Sequence, residues 1–475
     1  MSSSRSRREF LGITAAGIAS VAAADLVPDA LAAPAGRKPS QAKVTITDPS
    51  RKFADAADVA WKPAAGAARE AIVVDPAKRF QEVMGFGAAF TDSSCFMFNT
   101  LAQDKREELL QRFFDPREAG LSVCRTCIGS SDYATKVYSY ADERDPEFKN
   151  FSIEHDKAYI IPSIKTARKY NPDLFLFASP WSPPGWLKPN GSMLGGCIRR
   201  SSLAPYAQYF LKFLQAYEAE GVLVNAVSAQ NETDTEQDGR MPACAWPQEY
   251  EIEFVGQHLG PLLEKNGLKT KIWVLDHNYN LWGRAICTLD NPAVKKYSNA
   301  VAWHGYVGSP DMVQKVHDVH PDAQMFWTEG GPDYTDPKYL TDWSKWSETF
   351  TGILRNWCQS VIGWNLALDE QGRPNIGPFP CGGLVTIHSQ TKQITESGQY
   401  WAMSHWSRKV KRGARRIESQ SALKDVHHAA FENASGERVL MITNPGAARS
   451  VDVRLGRMQA KVDLPADSIV SISWS

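Results

Sequence analysis

A (β/α)8 barrel carrying an antiparallel β-sandwich is the fold this sequence predicts, and three observations carry that reading. Between residue 80 and about residue 407, eight short apolar segments recur, and helical periodicity fills the intervals between them. Two of these segments run straight into a glutamate at their C-terminal end. Beyond residue 407 the helical pattern stops, and short strands follow one another with turn residues between them.

In chain order, residues 1–32 are read as a signal peptide rather than as fold. Ser6-Arg7-Arg8-Glu9-Phe10-Leu11 is similar to a twin-arginine export signal, and an uncharged stretch follows from Leu11 to Ala24. Ala30-Leu31-Ala32 supplies small residues where cleavage needs them. The uncharged stretch is too short and too weakly apolar to span a bilayer, and no other segment qualifies. A periplasmic or secreted protein is the expectation. Its 53 basic residues balance 53 acidic ones, and removing residues 1–32 takes away three of each. Such a chain has no field to attract nucleic acid or an anionic membrane, so a neutral substrate is expected. Fifteen Trp, fifteen Tyr and twenty Phe supply flat apolar faces that suit sugar rings.

Residues 41–76 supply the first strands of the side domain, at Val44–Thr47 and Ala71–Val74, with an ambiguous Ala-rich piece between them. Residues 77–407 form the barrel. Its strands are expected at 84–90, 121–129, 174–180, 223–232, 271–278, 299–306, 323–330 and 361–368. The clearest helix between them places Tyr206, Tyr209, Phe210, Phe213, Leu214 and Tyr217 on one face. Residues 408–475 complete the side domain with strands at 427–432, 438–443, 450–455, 459–464 and 469–474. Ala434-Ser435-Gly436 and Asn444-Pro445-Gly446 mark the early turns, and these strands are expected to join those of 41–76 in one sandwich.

Eight cysteines are scattered along the chain. Cys124 and Cys127 have CxxC spacing, but they fall in a strand, where residues three apart face opposite ways. No second CxxC or nearby His pair completes a zinc site, so buried free thiols are expected and no metal. Cys197 and Cys244, on loops after the third and fourth strands, are the one pair left open to a disulfide.

Chemistry concentrates at the two glutamates. The run from Val222 reads as a strand buried on both faces, and it ends on Gln230-Asn231-Glu232. The run ending at Phe326-Trp327 leads to Glu329, with Gly330-Gly331-Pro332 breaking the chain behind it. Taken singly, each is as readily a solvated loop residue. Taken together they place two carboxylates at the C-terminal mouth of one barrel, where catalysis sits in this architecture. A carboxyl that protonates a leaving oxygen beside one that attacks or activates water is the equipment of a glycosidase.

The two segments resemble the acid/base and nucleophile strands of glycoside hydrolase family 30, the group of glucosylceramidases and β-1,6-glucanases. The resemblance spans the mature chain. Gly85-Phe86-Gly87-Ala88-Ala89-Phe90-Thr91-Asp92 looks like the family's opening barrel strand, and Ala178-Ser179-Pro180-Trp181-Ser182-Pro183-Pro184-Gly185-Trp186 matches its ASPW-x-x-P-x-W motif. By this resemblance Arg125 lies near the nucleophile, Asp132 binds sugar hydroxyls and Trp181 lines the subsite, while Trp186 packs. Asn231 matches the residue that bonds the sugar 2-hydroxyl, and His304 and Tyr306 match residues that orient the nucleophile. Gly305 stands where the family often has an aromatic. Trp364 matches the floor of the sugar site, and Asn375, in Gly372-Arg373-Pro374-Asn375, is a further candidate contact. Tyr400, His405 and Ser407 match the return into the side domain.

The resemblance implies a retaining β-glycosidase, acting on a β-linked glucoside or glucan, with Glu329 as nucleophile and Glu232 as acid/base. The charge of Glu329 is expected to raise the Glu232 pKa and then to vanish in the covalent intermediate. No cofactor is implied, and a monomer or weak oligomer is expected. Alternatives are an endo-β-1,6-glucanase, a β-xylosidase or fucosidase of the same family, or a catalytically silent sugar-binding barrel.

Overall fold

The computed structural model describes residues 41–66, 70–235 and 239–475. The expected signal peptide, residues 1–32, lies outside them. Among the described residues no helix is long and apolar enough to cross a membrane.

Among the described residues, twenty strands form two sheets. β1 (Gln41–Thr47), β2 (Ala54–Ala60), β3 (Lys62–Pro63) and β4 (Ala71–Glu82) precede the barrel. The barrel strands are β5 (Gly85–Phe90), β6 (Val123–Cys127), β7 (Phe175–Ser179), β8 (Ala226–Ser228), β9 (Lys271–Asn278), β10 (Ala300–His304), β11 (Gln324–Glu329) and β12 (Cys358–Leu368). Each pairs parallel with the next, and β12 pairs parallel with both β11 and β5, which closes the ring. A hairpin of β13 (Gly383–Ile387) and β14 (Ile394–Glu396) extends β12 at its C-terminal end. β15 (Arg415–Gln420), β16 (His427–Glu432), β17 (Arg438–Asn444), β18 (Arg449–Leu455), β19 (Met458–Leu464) and β20 (Ser468–Trp474) follow.

The eight barrel strands stand where the apolar segments predict them, with one difference of extent. The fourth, expected from Leu223 to Glu232, is the short β8 of Ala226–Ser228, and Leu223 is 53% exposed. The apolar run before Ala226 is thus an approach to the barrel, not a strand buried on both faces. Glu232 lies past the strand with φ +52°, a left-handed backbone rarely adopted outside glycine. The helix Leu203–Ala219 buries Tyr206, Tyr209, Phe210, Phe213, Leu214 and Tyr217 on the face that their spacing defines. The barrel interior is aromatic: Trp273 of β9 stacks between Phe177 of β7 and Phe326 of β11, with ring centroids 4.6 and 4.0 Å away.

The side sheet runs β2-β1-β20-β17-β16-β15-β4-β18-β19-β3. The strands before and after the barrel therefore share one sheet, as expected. Its pairs are antiparallel except β4 with β18, which run parallel. β2 (ADAADVA) is an edge strand with alternating exposure and pairs with β1 alone; its alanines carry no strand signal, which explains the ambiguity of that stretch. The seam to the barrel is hydrogen-bonded. His405, in the helix Gly398–Lys409, meets Thr47 Oγ1 at 2.9 Å and Ser471 Oγ at 3.0 Å. Burial, with Lys409 and Arg408 nearby, lowers its pKa to about 3, so the ring is neutral. All eight cysteines are free thiols; five are buried, and Cys197 and Cys287 are exposed.

Candidate active site

The C-terminal ends of the barrel strands converge on one charged cluster, and two irregularities of register shape it. Along β9 and β10, Ala302 pairs with Leu275 but Trp303 pairs with His277, so β9 carries an extra residue there. Leu275 and Asp276 have φ +72° and +49°. This bulge turns Asp276 into the barrel, and the buried Glu251 secures it by accepting a 2.7 Å hydrogen bond from the Leu275 N–H. Along β10 and β11, Trp303 pairs with Trp327 but His304 pairs with Glu329, and the skipped Thr328 also reaches inward.

Arg125 of β6 is fully buried and ties the cluster together. Its Nη1 donates to Glu329 Oε2; its Nη2 donates to Asn231 Oδ1 at 2.6 Å and to Asp276 Oδ2 at 2.8 Å. Asp276 accepts further hydrogen bonds from Ser179, Ser228, Thr328 and His304, at 2.6 to 3.0 Å. Burial opposes its charge, but Arg125 and His304 hold its carboxyl well below the usual range. The guanidinium of Arg125 also lies 4.8 Å from the Trp181 ring centroid.

Glu329 is 5% exposed and accepts from the Tyr306 hydroxyl at 3.0 Å. Glu232 places Oε1 3.1 Å from His304 Nδ1 and 3.5 Å from His277 Nδ1. The other nitrogen of His304 meets Asp276 at 3.0 Å and lies 3.9 Å from Glu329. One imidazole therefore stands between the two glutamates. Burial opposes its protonation, yet the charge of Glu329 and the hydrogen bonds to Asp276 and Glu232 raise its pKa to about 9. The two glutamates shift in the reverse of the expected sense. Burial raises Glu329. Burial acts on Glu232 too, but the hydrogen bond to His304 and the charges of His277, His304 and Arg125 overcome it and lower it. Counting only the two carboxylates omits the cations that the fold brings to Glu232.

Aromatic rings pack beside the cluster. Trp181 and Trp364 stack at 4.9 Å with 19° between their planes, and Tyr133 meets Trp364 edge-on. Asp132 is 4% exposed, and its Oδ1 has no hydrogen-bond partner in the protein. Burial, then the charges of Glu329 and Glu232, raise its pKa well above the carboxylate range. Asn231 spends its Oδ1 on Arg125, which leaves its amide N–H groups free to donate. Asn375 is engaged by neighbouring backbone. Its side chain bonds the Phe379 carbonyl at 2.7 Å and the Gly377 N–H at 2.6 Å, bracing a loop against Asp132. At Gly305 a Cβ would meet the Trp327 indole at 3.0 Å, so the ring of Trp327 fills the space that a side chain at 305 would take. Trp186 packs, donating its indole N–H to the Ala141 carbonyl.

Residues 83–410 match the Glycosyl hydrolase family 30 TIM-barrel domain, and residues 413–472 match the Glycosyl hydrolase family 30 beta sandwich domain. The chain belongs to glycoside hydrolase family 30. It is a glycoside hydrolase, and its relatives include endo-1,6-beta-glucanases and glucosylceramidases. An endo-1,6-beta-D-glucanase of Neurospora crassa is 32% identical over 392 residues, covering 78% of this chain and 80% of that one. A putative glucosylceramidase 4 of Caenorhabditis elegans is 30% identical over 421 residues, covering 83% and 80%. Among solved structures, the endo-beta1,6-glucanase BT3312 superposes with a TM-score of 0.82 at 28% identity, covering 91% of this chain and 99% of that one.

Within this family 30 barrel, Glu232, Glu329, Arg125, Asp132, Trp181, Asn231, His304, Tyr306 and Trp364 come together at one mouth. Sequence reasoning missed Asp276 and His277. A signal existed for Asp276, since it too is a carboxylate near the end of an apolar strand. The bulge that turns it inward left no trace in the residue pattern.

Proposed function

We propose that this protein is an exported retaining β-glycoside hydrolase acting on β-glucosides, with Glu329 as nucleophile and Glu232 as acid and base. The observation that carries this reading is the placing of both glutamates on the two sides of His304, in the same strand-end cluster as the stacked Trp181 and Trp364. Glu329 is held for attack by Arg125 and Tyr306. Its carboxylate bonds to the anomeric carbon as the glycosidic C–O bond breaks, and Glu232 gives its proton to the departing oxygen. Water then attacks the glycosyl ester with Glu232 as base, releasing Glu329 and restoring the acid.

The acid proton has a definite source. In the substrate-free site it rests on the His304 side of the His304–Glu232 pair, 3.1 Å from the carboxylate. As negative charge develops on the leaving oxygen, the proton passes along the His304–Glu232 hydrogen bond to the carboxylate and on to that oxygen. Asp132 Oδ1 accepts a sugar hydroxyl, and the Asn231 amide donates to another next to the anomeric centre. Each is a buried polar group whose pairing is completed by substrate, which makes the site reject ligands lacking those hydroxyls.

Glucose is the proposed sugar because the names of both kinds of relative contain it. A second reading, endo-β-1,6-glucanase, is favoured by the 32% identity to the Neurospora crassa enzyme. Aryl β-glucoside, β-1,6-glucan and glucosylceramide offered to the purified protein separate these readings. Release of glucose from aryl β-glucoside is expected, and a panel with no β-glucoside cleaved overturns the proposal. Export rests on the twin arginines Arg7 and Arg8: converting both to Lys should trap the protein in the cytoplasm.

A further inference from the structure

The carboxylate of Glu232 faces two imidazoles at once. His304 Nδ1 lies 3.1 Å from Oε1, and His277 Nδ1 lies 3.5 Å from the same oxygen. The ligand atoms of all three residues fall within 4.8 Å of one another. In a tetrahedral zinc site with bonds of about 2.0–2.1 Å, neighbouring ligand atoms sit about 3.3 Å apart. The two spacings bracket that value.

The far sides of the rings are arranged as metal-binding histidines require. Nε2 of His304 is held by Asp276 Oδ1 at 3.0 Å, and Nε2 of His277 is held by Asp234 Oδ1. A carboxylate behind a ligating histidine fixes the tautomer and directs the other nitrogen to the metal. His277 shows the consequence: it is 4% exposed, and its buried Nδ1, aimed at Glu232, has no hydrogen-bond partner. Two imidazoles with one carboxylate select zinc or a similar transition ion over calcium or magnesium.

We propose that Glu232, His277 and His304 form an inhibitory zinc site, in which the ion takes the place of the proton between His304 and Glu232. The fourth coordination position faces the mouth, where Glu232 keeps 13% of its side chain exposed, and takes water. Zinc held there occupies the oxygen that donates and accepts the catalytic proton, so turnover stops while the metal is bound. Inhibition rests on the acid/base reading of Glu232; binding does not.

Cobalt(II) is the probe for binding, since its visible d–d bands report tetrahedral coordination without any activity measurement. One equivalent should bind the wild-type protein with such bands and without the near-ultraviolet charge transfer of a thiolate. Binding should vanish in Glu232→Gln and weaken at least tenfold in His277→Gln. Asp234 is half-exposed, so Asp234→Asn tests the site with little risk to folding, and a loss of about 10–100-fold is expected from removing the carboxylate behind His277. In parallel, zinc chloride should inhibit the wild-type enzyme and EDTA should restore it, with Asp234→Asn requiring correspondingly more zinc. Thiolate bands, octahedral cobalt, or binding unchanged in both His277→Gln and Asp234→Asn overturns the site. Stoichiometric cobalt with undiminished turnover overturns the inhibitory role and counts against Glu232 as acid. An inactive Glu232→Gln whose wild-type parent binds no cobalt overturns the metal site alone.

Discussion

Nδ1 of His304 lies 3.1 Å from Oε1 of Glu232, while the opposite edge of the same ring meets Asp276. Contact with a held imidazolium favours the ionised form of a carboxylate, so on the proposed mechanism the acid proton is stored on the ring beside the group that delivers it. The pH behaviour of the enzyme follows from this pair.

The His304 pKa of about 9 stands above its ordinary 6.5, so its ion pairs stabilise the fold fully below about pH 6.5 and are lost as pH rises through about 9. Thermal unfolding followed from pH 6 to 10 should show stability falling across that window. His304→Gln should flatten the fall. Activity should be lost over the same alkaline range, as the stored proton leaves. On the acid side it should decline above the usual carboxylate range, because Glu329 must be ionised to attack and burial raises its pKa.

Replacing Glu329 with Gln should lower kcat by at least about a thousandfold while sugar affinity persists. Binding of glucose or a glucoside, measured by calorimetry, and turnover are the two readouts. Activity within about tenfold of wild type would remove Glu329 from the nucleophile position.

Glu232→Ala should spare activated aryl glucosides more than glucans, because a good leaving group needs no proton. Azide should rescue turnover by entering the space left by the carboxylate, giving a glycosyl azide of retained configuration. The anomer first released by the wild-type enzyme, followed by NMR, should likewise retain configuration, with the two carboxyl groups roughly 5–5.5 Å apart in a crystal structure.

Asp132 carries a buried oxygen with no hydrogen-bond partner in the protein, which on the proposed function a sugar hydroxyl satisfies. Asp132→Asn keeps a polar atom in that place and removes its ionisation, so stability should lose the fall with rising pH that Asp132 ionisation causes, while substrate binding and turnover weaken together. A variant both less stable and fully active would show that Asp132 serves the fold instead.

The positions of Glu232 and Glu329 were legible in the sequence, because an apolar strand that ends in a polar turn is a local pattern and a barrel puts all such ends at one mouth. The aromatic helix face was likewise a local pattern, while Trp181 was read from its resemblance to the family motif. β2 and β15 were not, since an alanine-rich edge strand and RRIESQ carry no alternating apolar signal and are held by their partners in the sheet. The tertiary structure alone decided which charges meet. A one-residue bulge in β9 brought Asp276 and His277 to the centre, Arg125 fixed the Asn231 amide, and His304 with Arg125 lowered the Glu232 pKa that the charge of Glu329 alone would raise. Each depends on groups from strands far apart in the chain, at distances of a few ångströms where electrostatic energy changes fastest, and sequence spacing carries no such distances.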